Sequence, residues 1–138
     1  MGCWGIKSYE NDDAHEALDR AFERVHGDAY DELMDDRSPL SLEDVQKKLA
    51  NEQTLAAALD LFEDEAGSNR DLWDDLDRLG YAGIVVRHVE LGVPAAAGVV
   101  ASAIAFLEAE EVEWEGEATH RKLRRDKELT MLRAAPGT

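Results

Sequence analysis

The sequence predicts an all-α fold: a compact single-domain bundle of about five to seven helices, with an irregular N-terminal arm and a central apolar helix near 95–107. Three observations carry this. Apolar residues recur at spacings of three and four along most of the chain, which places them on one face of a helix. Only Ile84-Val85-Val86 has strand-like residues, and no second convincing strand exists for it to pair with. The run Ala95 to Leu107 contains no charge and is too short to span a bilayer, so it reads as a buried core helix.

The elements follow in order. Asn11, Asp12 and Asp13 precede Ala14, Ala17, Leu18, Ala21, Phe22 and Val25, which share one helical face. Asn or Asp caps a helix because its oxygen accepts an orphan backbone N–H, so a helix is expected from Asp12 to His26, stopped at Gly27. A short helix over Asp28–Asp36 would turn Tyr30, Leu33 and Met34 inward, and Arg37-Ser38-Pro39 breaks it. Ser41 is the next cap, with Asp44 three residues on. Asn51 to Thr54 is either a kink or a new start, leading to the face Leu55, Ala58, Leu59 and Phe62, which ends near Gly67. Ser68 or Asn69 would cap a helix with Leu72, Trp73, Leu76 and Leu79 inward and Gly80 just past its end. Tyr81 to Leu91 reads as strand or helix, with helix favoured, ended by Gly92. Pro94 suits the first turn of the apolar helix. Gly116 would break the acidic extension after Glu108, and Thr119 to Leu132 forms the last helix, with Leu123, Leu129 and Leu132 as its apolar stripe.

The opening Met1-Gly2-x-Trp4-Gly5, with Tyr9 and then Asn11-Asp12-Asp13-Ala14, is the most distinctive stretch. It resembles a bacterial family of unknown function, whose members begin Met-Gly-x-Trp-Gly and continue Phe-x-Asn-Asp-x-Ala. Tyr9 stands where that family carries Phe, and a weaker similarity covers Pro94 to Ala105. The resemblance implies a small helical fold and a bacterial, intracellular setting, and no activity. Gly2, Trp4, Gly5, Tyr9, Asn11, Asp12 and Asp13 are the residues that carry it.

The chain has 138 residues and a formal net charge of −16, which disfavours nucleic acid and anionic membranes and favours a basic partner. The charge is uneven. Glu117 to Thr138 carries six Lys and Arg against three acids. Two regions result: an acidic helical domain over 1–116, including the arm, and a basic helix and tail over 117–138, docked on that domain or on a second copy. The lone Cys3 excludes an internal disulfide and suits the reducing cytoplasm. No basic segment followed by an apolar one marks a signal peptide.

No catalytic set is legible. The serines occupy no nucleophile elbow, and Gly80-x-x-Gly83 lacks the Lys and Ser/Thr of a phosphate loop. Glu23-x-x-His26 and Glu117-x-x-His120 place a carboxylate and an imidazole one turn apart, the pattern that builds di-metal sites in bundles. With 31 acidic residues, such spacings also arise by chance, and no cofactor is implied. Asp71, Asp74, Asp75 and Asp77 crowd one stretch, and Glu113 and Trp114 lie in a second acidic segment. These six are the candidate contacts for a partner protein. Three functions are therefore expected in order: a non-enzymatic cytoplasmic interaction factor, immunity-like or regulatory, that binds a basic protein; a metal-binding bundle or metal-dependent enzyme; and a structural homo-oligomer.

Overall fold

The computed structural model describes residues 12–35, 37, 39–67, 69–110 and 118–134. Seven α-helices and one 3₁₀ turn order themselves as α1 (Asp12–His26), α2 (Asp28–Met34), α3 (Leu42–Leu49), α4 (Glu52–Ala66), the turn Arg70–Leu72, α5 (Asp75–Glu90), α6 (Ala97–Glu108) and α7 (Ala118–Ala134). The described residues contain no strand.

The breaks between helices have local causes. Gly27 ends α1 at φ +53°, a left-handed conformation that costs a Cβ-bearing residue energy, and its own carbonyl starts α2. Ser41 caps α3 through the Asp44 N–H, and the Asp44 carboxylate accepts from the Ser41 N–H. Asn51 and Thr54 exchange the same pair of bonds, both at 2.9 Å, so this segment is a new start and not a kink. Asp74 and Asp77 repeat the arrangement at the head of α5. Asp74→Ala is expected to lower stability by about 1 kcal/mol in urea unfolding, whereas Asp74→Asn, an equally good cap, leaves it within about 0.5 kcal/mol.

The long strand-like stretch is helical. Ile84, Val85 and Val86 are fully buried inside α5, and full burial of each contributes about 1.5–3 kcal/mol. That outweighs the few tenths by which a β-branched residue disfavours a helix. Gly80 lies inside α5 instead of ending a helix, because α5 begins at Asp75 and runs unbroken to Glu90.

The central helix is α5, not the apolar run near 95–107. Every residue from Leu79 to His88 is buried, and α5 packs against α1, α4, α6 and α7. α6 buries only Val100, Ala103 and Leu107, and Ala97, Gly98, Ala101 and Ala105 face solvent. The run is apolar chiefly through small residues, which gain little from burial, so it occupies a flank. It also starts at Ala97, so Pro94 precedes the helix and is not in its first turn. Three side chains expected inward face outward: Met34 is 40 % exposed, Leu72 81 % and Leu123 63 %.

Two aromatic groups fill the interior. Phe22 stacks on Tyr30 at 5.7 Å and on His88 at 6.2 Å, joining α1, α2 and α5. Trp73 meets Phe62, Tyr81 and Phe106 at 5.6, 5.8 and 5.9 Å, joining α4, α5 and α6 behind the 3₁₀ turn.

Candidate functional site

The acidic stretch named from the sequence surrounds the 3₁₀ turn. Trp73 is 2 % exposed, so it is core, and its indole N–H donates to the Gly67 carbonyl at 2.8 Å. This bond and the Asn69 side chain, which accepts from the Asp71 N–H at 3.2 Å, set the turn. Arg70 clamps it from one side. Its guanidinium donates to Glu63 at 2.7 Å, to the Ser102 hydroxyl at 3.2 Å and to the Tyr81 hydroxyl at 3.4 Å. The same group lies 4.6 Å from the centre of the Tyr81 ring and 5.5 Å from Trp73, within cation–π range. The Glu63 carboxylate raises the Arg70 pKa further.

Leu72 is thereby held at the tip of a fixed turn, with Asp71, Asp74 and Asp75 exposed around it. The four aspartates do not form one lateral helix face. Asp74 and Asp77 cap α5, Asp75 faces Arg78 at 3.7 Å, and Asp71 belongs to the turn. Glu113 and Trp114 lie outside the described residues, as do Gly2, Trp4, Gly5, Tyr9 and Asn11. Asp12 and Asp13 lie in α1, where their side chains are not described.

Sequence reasoning missed a second acidic surface. Asp19, Glu23, Asp31, Arg20, Arg24, Tyr30 and Met34 line an open cleft of about 460 Å³ between α1 and α2. The neighbouring Asp31 carboxyl pushes the Glu23 pKa up. Burial, and the bond that the Tyr30 hydroxyl donates to Asp19, push Tyr30 up as well. Arg20 points away, to Glu65 at 2.8 Å. The signal was present in the Asp19/Glu23 pair four residues apart, but only the Gly27 turn brings Asp31 beside them.

Of the four candidate metal residues, the structure describes the side chains of Glu23 and His26. His26 Nε2 donates to the Leu49 carbonyl at 2.7 Å, tying α1 to α3. Its neighbour Glu23 belongs to the cleft. Glu117 lies outside the described residues, and His120 is on α7 with its side chain not described. Among the described residues, no three His, Cys, Asp or Glu side chains are grouped to hold a metal ion.

The basic helix α7 packs on α5 and α6 of the same chain. Arg121 is completely buried, and its fork holds Glu110 at 2.6 and 3.0 Å and the equally buried Glu128 at 2.9 Å. Burial lowers the Arg121 pKa, but Glu110 and Glu128 more than offset it, so the guanidinium stays charged. Arg124 reaches Glu90 at 2.7 Å, and Glu90 also accepts from Arg87 at 2.9 Å, which in turn holds the buried Gln46. Arg125 donates to the Glu110 carbonyl at 2.7 Å and Arg133 pairs with Glu108 at 2.8 Å.

His88 is buried beneath the start of α4. Its Nδ1 lies 3.0 Å from the Ile84 carbonyl, which only accepts, so the hydrogen sits on Nδ1. Nε2 then accepts from the Thr54 hydroxyl at 2.9 Å. Burial pushes His88 down to about 4, and the neighbouring Arg87 acts the same way.

The fold and its surfaces define a small helical protein whose interior is structural and whose exposed features are acidic. No family model, no curated protein and no solved structure matches the chain. Among the described residues, no helix is long and apolar enough to cross a membrane.

Proposed function

We propose that this chain is a non-enzymatic interaction factor, immunity-like or regulatory, that binds a basic protein in the bacterial cytoplasm. Membership of the family that its opening residues resemble is part of this reading. One observation carries it: Leu72, 81 % exposed, projects from a turn set by the Trp73–Gly67 and Asn69–Asp71 bonds, with Asp71, Asp74 and Asp75 exposed beside it in the chain. A large apolar side chain displayed on a rigid turn loses little conformational freedom on binding. The surface it fits is an apolar pocket with a Lys- or Arg-rich rim, because Asp71, Asp74 and Asp75 surround it and the chain carries −16 overall.

The homo-oligomer reading has less support. Four of the six cations that it would send to a second copy are engaged within the chain: Arg121, Arg124, Arg125 and Arg133 meet acceptors on α5, α6, α7 or the segment just after α6. The metal reading gains no grouped ligands among the described residues.

The test is a paired affinity capture from the host at low salt, read by mass spectrometry, with wild type beside Leu72→Ala and the double variant Asp71→Asn/Asp75→Asn. A stoichiometric basic protein is expected with wild type and lost at high salt. Leu72→Ala should weaken it by about 2 kcal/mol, roughly thirtyfold, while leaving the fold intact. The Asn pair should flatten the salt dependence. Equal capture by all three chains would reject the turn as the contact.

A further inference from the structure

Arg70 is bound in the way that a receptor binds a ligand. Its guanidinium lies over Tyr81 and within cation–π range of Trp73, pairs with the Glu63 carboxylate and touches the hydroxyls of Ser102 and Tyr81. These groups come from α4, α5, α6 and the residue that follows the turn, so four separate places in the chain converge on one cation.

The walls stand without Arg70. Trp73 is fixed by its bond to Gly67 and its edge contact with Phe62, and Tyr81 is fixed edge-on to Phe106 at 5.5 Å. Tyr81 and Trp73 are each 2 % exposed. The occupant is less enclosed: the Arg70 side chain is 38 % exposed, and it sits on a turn of three residues between α4 and α5. The result is a rigid cradle with an open side, filled from a short external segment. Leu72 lies two residues further along the same turn, so a protein that seats Leu72 meets the turn that carries Arg70.

The chemistry selects the cation. A guanidinium is flat, stacks on aromatic faces and donates through a fork, so it can meet a carboxylate and two hydroxyls at once. An ammonium is more strongly hydrated and lacks the planar fork. We propose that the Glu63–Trp73–Tyr81–Ser102 cradle is a guanidinium receptor, that Arg70 is its resident and exchangeable occupant, and that an arginine side chain of the basic partner takes its place. This rests on the reading that the turn meets a basic protein, and it specifies arginine over lysine as the partner's residue at this point.

The test follows the Trp73 indole N–H of the full chain by NMR, at fixed ionic strength, during titration with N-acetyl-arginine amide or N-acetyl-lysine amide. Arg70→Ala vacates the cradle and clears the faces of Tyr81 and Trp73. In this variant the arginine probe should shift the indole signal saturably, and the lysine probe should not. Wild type should respond at concentrations roughly tenfold or more higher, since the resident arginine competes intramolecularly. Glu63→Gln combined with Arg70→Ala, where no resident competes, should weaken the response to the arginine probe. No saturable shift in Arg70→Ala, or equal shifts from both probes, would overturn the receptor. Wild type silent at about a hundred times the half-saturating concentration of the variant would make Arg70 a permanent occupant and overturn exchange. A response unchanged by Glu63→Gln would remove the carboxylate from the site and overturn the assignment. These outcomes are separate from the Leu72 comparison: either can fail while the other stands.

Discussion

Arg121→Ala is expected to lower the unfolding free energy by about 3–5 kcal/mol, the largest effect of any single surface-neutral truncation in this chain. Arg121 and Glu128 are both fully buried and lie 2.9 Å apart on α7. Removing the cation leaves the Glu128 carboxylate inside the protein, with the Arg124 guanidinium 3.4 Å away as a more distant counter-charge. Glu110 also loses a two-point contact at 2.6 and 3.0 Å, one of those that join the segment after α6 to α7. The sum is a desolvated charge without its best partner, which costs far more than the pair itself stabilises. A loss of this size is a large share of the roughly 5–15 kcal/mol that holds a domain together. Urea unfolding of the variant gives the value. The paired replacement Arg121→Met/Glu128→Leu provides the contrast: it removes both charges and fills the space, and is expected to come within about 2 kcal/mol of wild type or to exceed it. A single variant that unfolds like wild type would show that α7 is not held by this network.

Acidification from pH 6.5 to 4 is expected to remove about 3 kcal/mol through His88 alone. The folded imidazole sits near 4, below the ordinary value of 6.5. Between those two values the unfolded chain binds more protons than the folded one. The stabilisation from keeping His88 neutral is therefore complete above about pH 6.5 and falls as the pH drops toward 4. The cause is burial beside Phe22, not a lost hydrogen bond. The Thr54 hydroxyl lies 2.8 Å from the Asn51 carbonyl and 2.9 Å from Nε2, so it can turn its hydrogen to Asn51 and accept from a protonated ring. The measurement is the imidazole Cε1–H shift of His88 across this range. A ring that stays neutral to about pH 4 agrees with the enclosure, and one that titrates near 6.5 would refute it. Glu23 works in the opposite sense. Its pKa is raised by Asp31, so its contribution is present at low pH and is lost as the pH rises through its folded value.

Much of the helical frame was legible because its signals are local. Gly27 and Gly67 end helices where a left-handed or extended glycine was expected, and Ser41 with Asp44 forms the anticipated capping box. Each signal involves residues within about four positions of one another, the reach of a single helical turn. The start of α5 was misplaced because three candidate caps, Ser68, Asn69 and Asp74, follow in close succession, and only Asp74 opens an α-helix. Gly80 then resembled a terminator although it lies buried inside α5.

The candidate site was only half legible. Asp71, Asp74 and Asp75 were identified from charge density, and their exposure follows from the cost of burying carboxylates. Leu72 was expected inward because the stretch was read with helical spacing; the 3₁₀ turn rotates it out. Arg70 carried no sequence signal at all. Its partners are Glu63, Trp73, Tyr81 and Ser102, up to 32 positions away, and none of them is unusual by itself.

The amino-acid order by itself determined the helical class, the caps and breaks, and the contrast between an acidic body and a basic last helix. These depend on backbone geometry within a turn and on summed charge. Only the tertiary structure decided that α5 and not α6 is central, that the α7 arginines pair within the chain, and that Leu72 faces solvent from a clamped turn. Those outcomes depend on which distant faces bury the most apolar surface together, and on which charges that packing brings within a few ångströms.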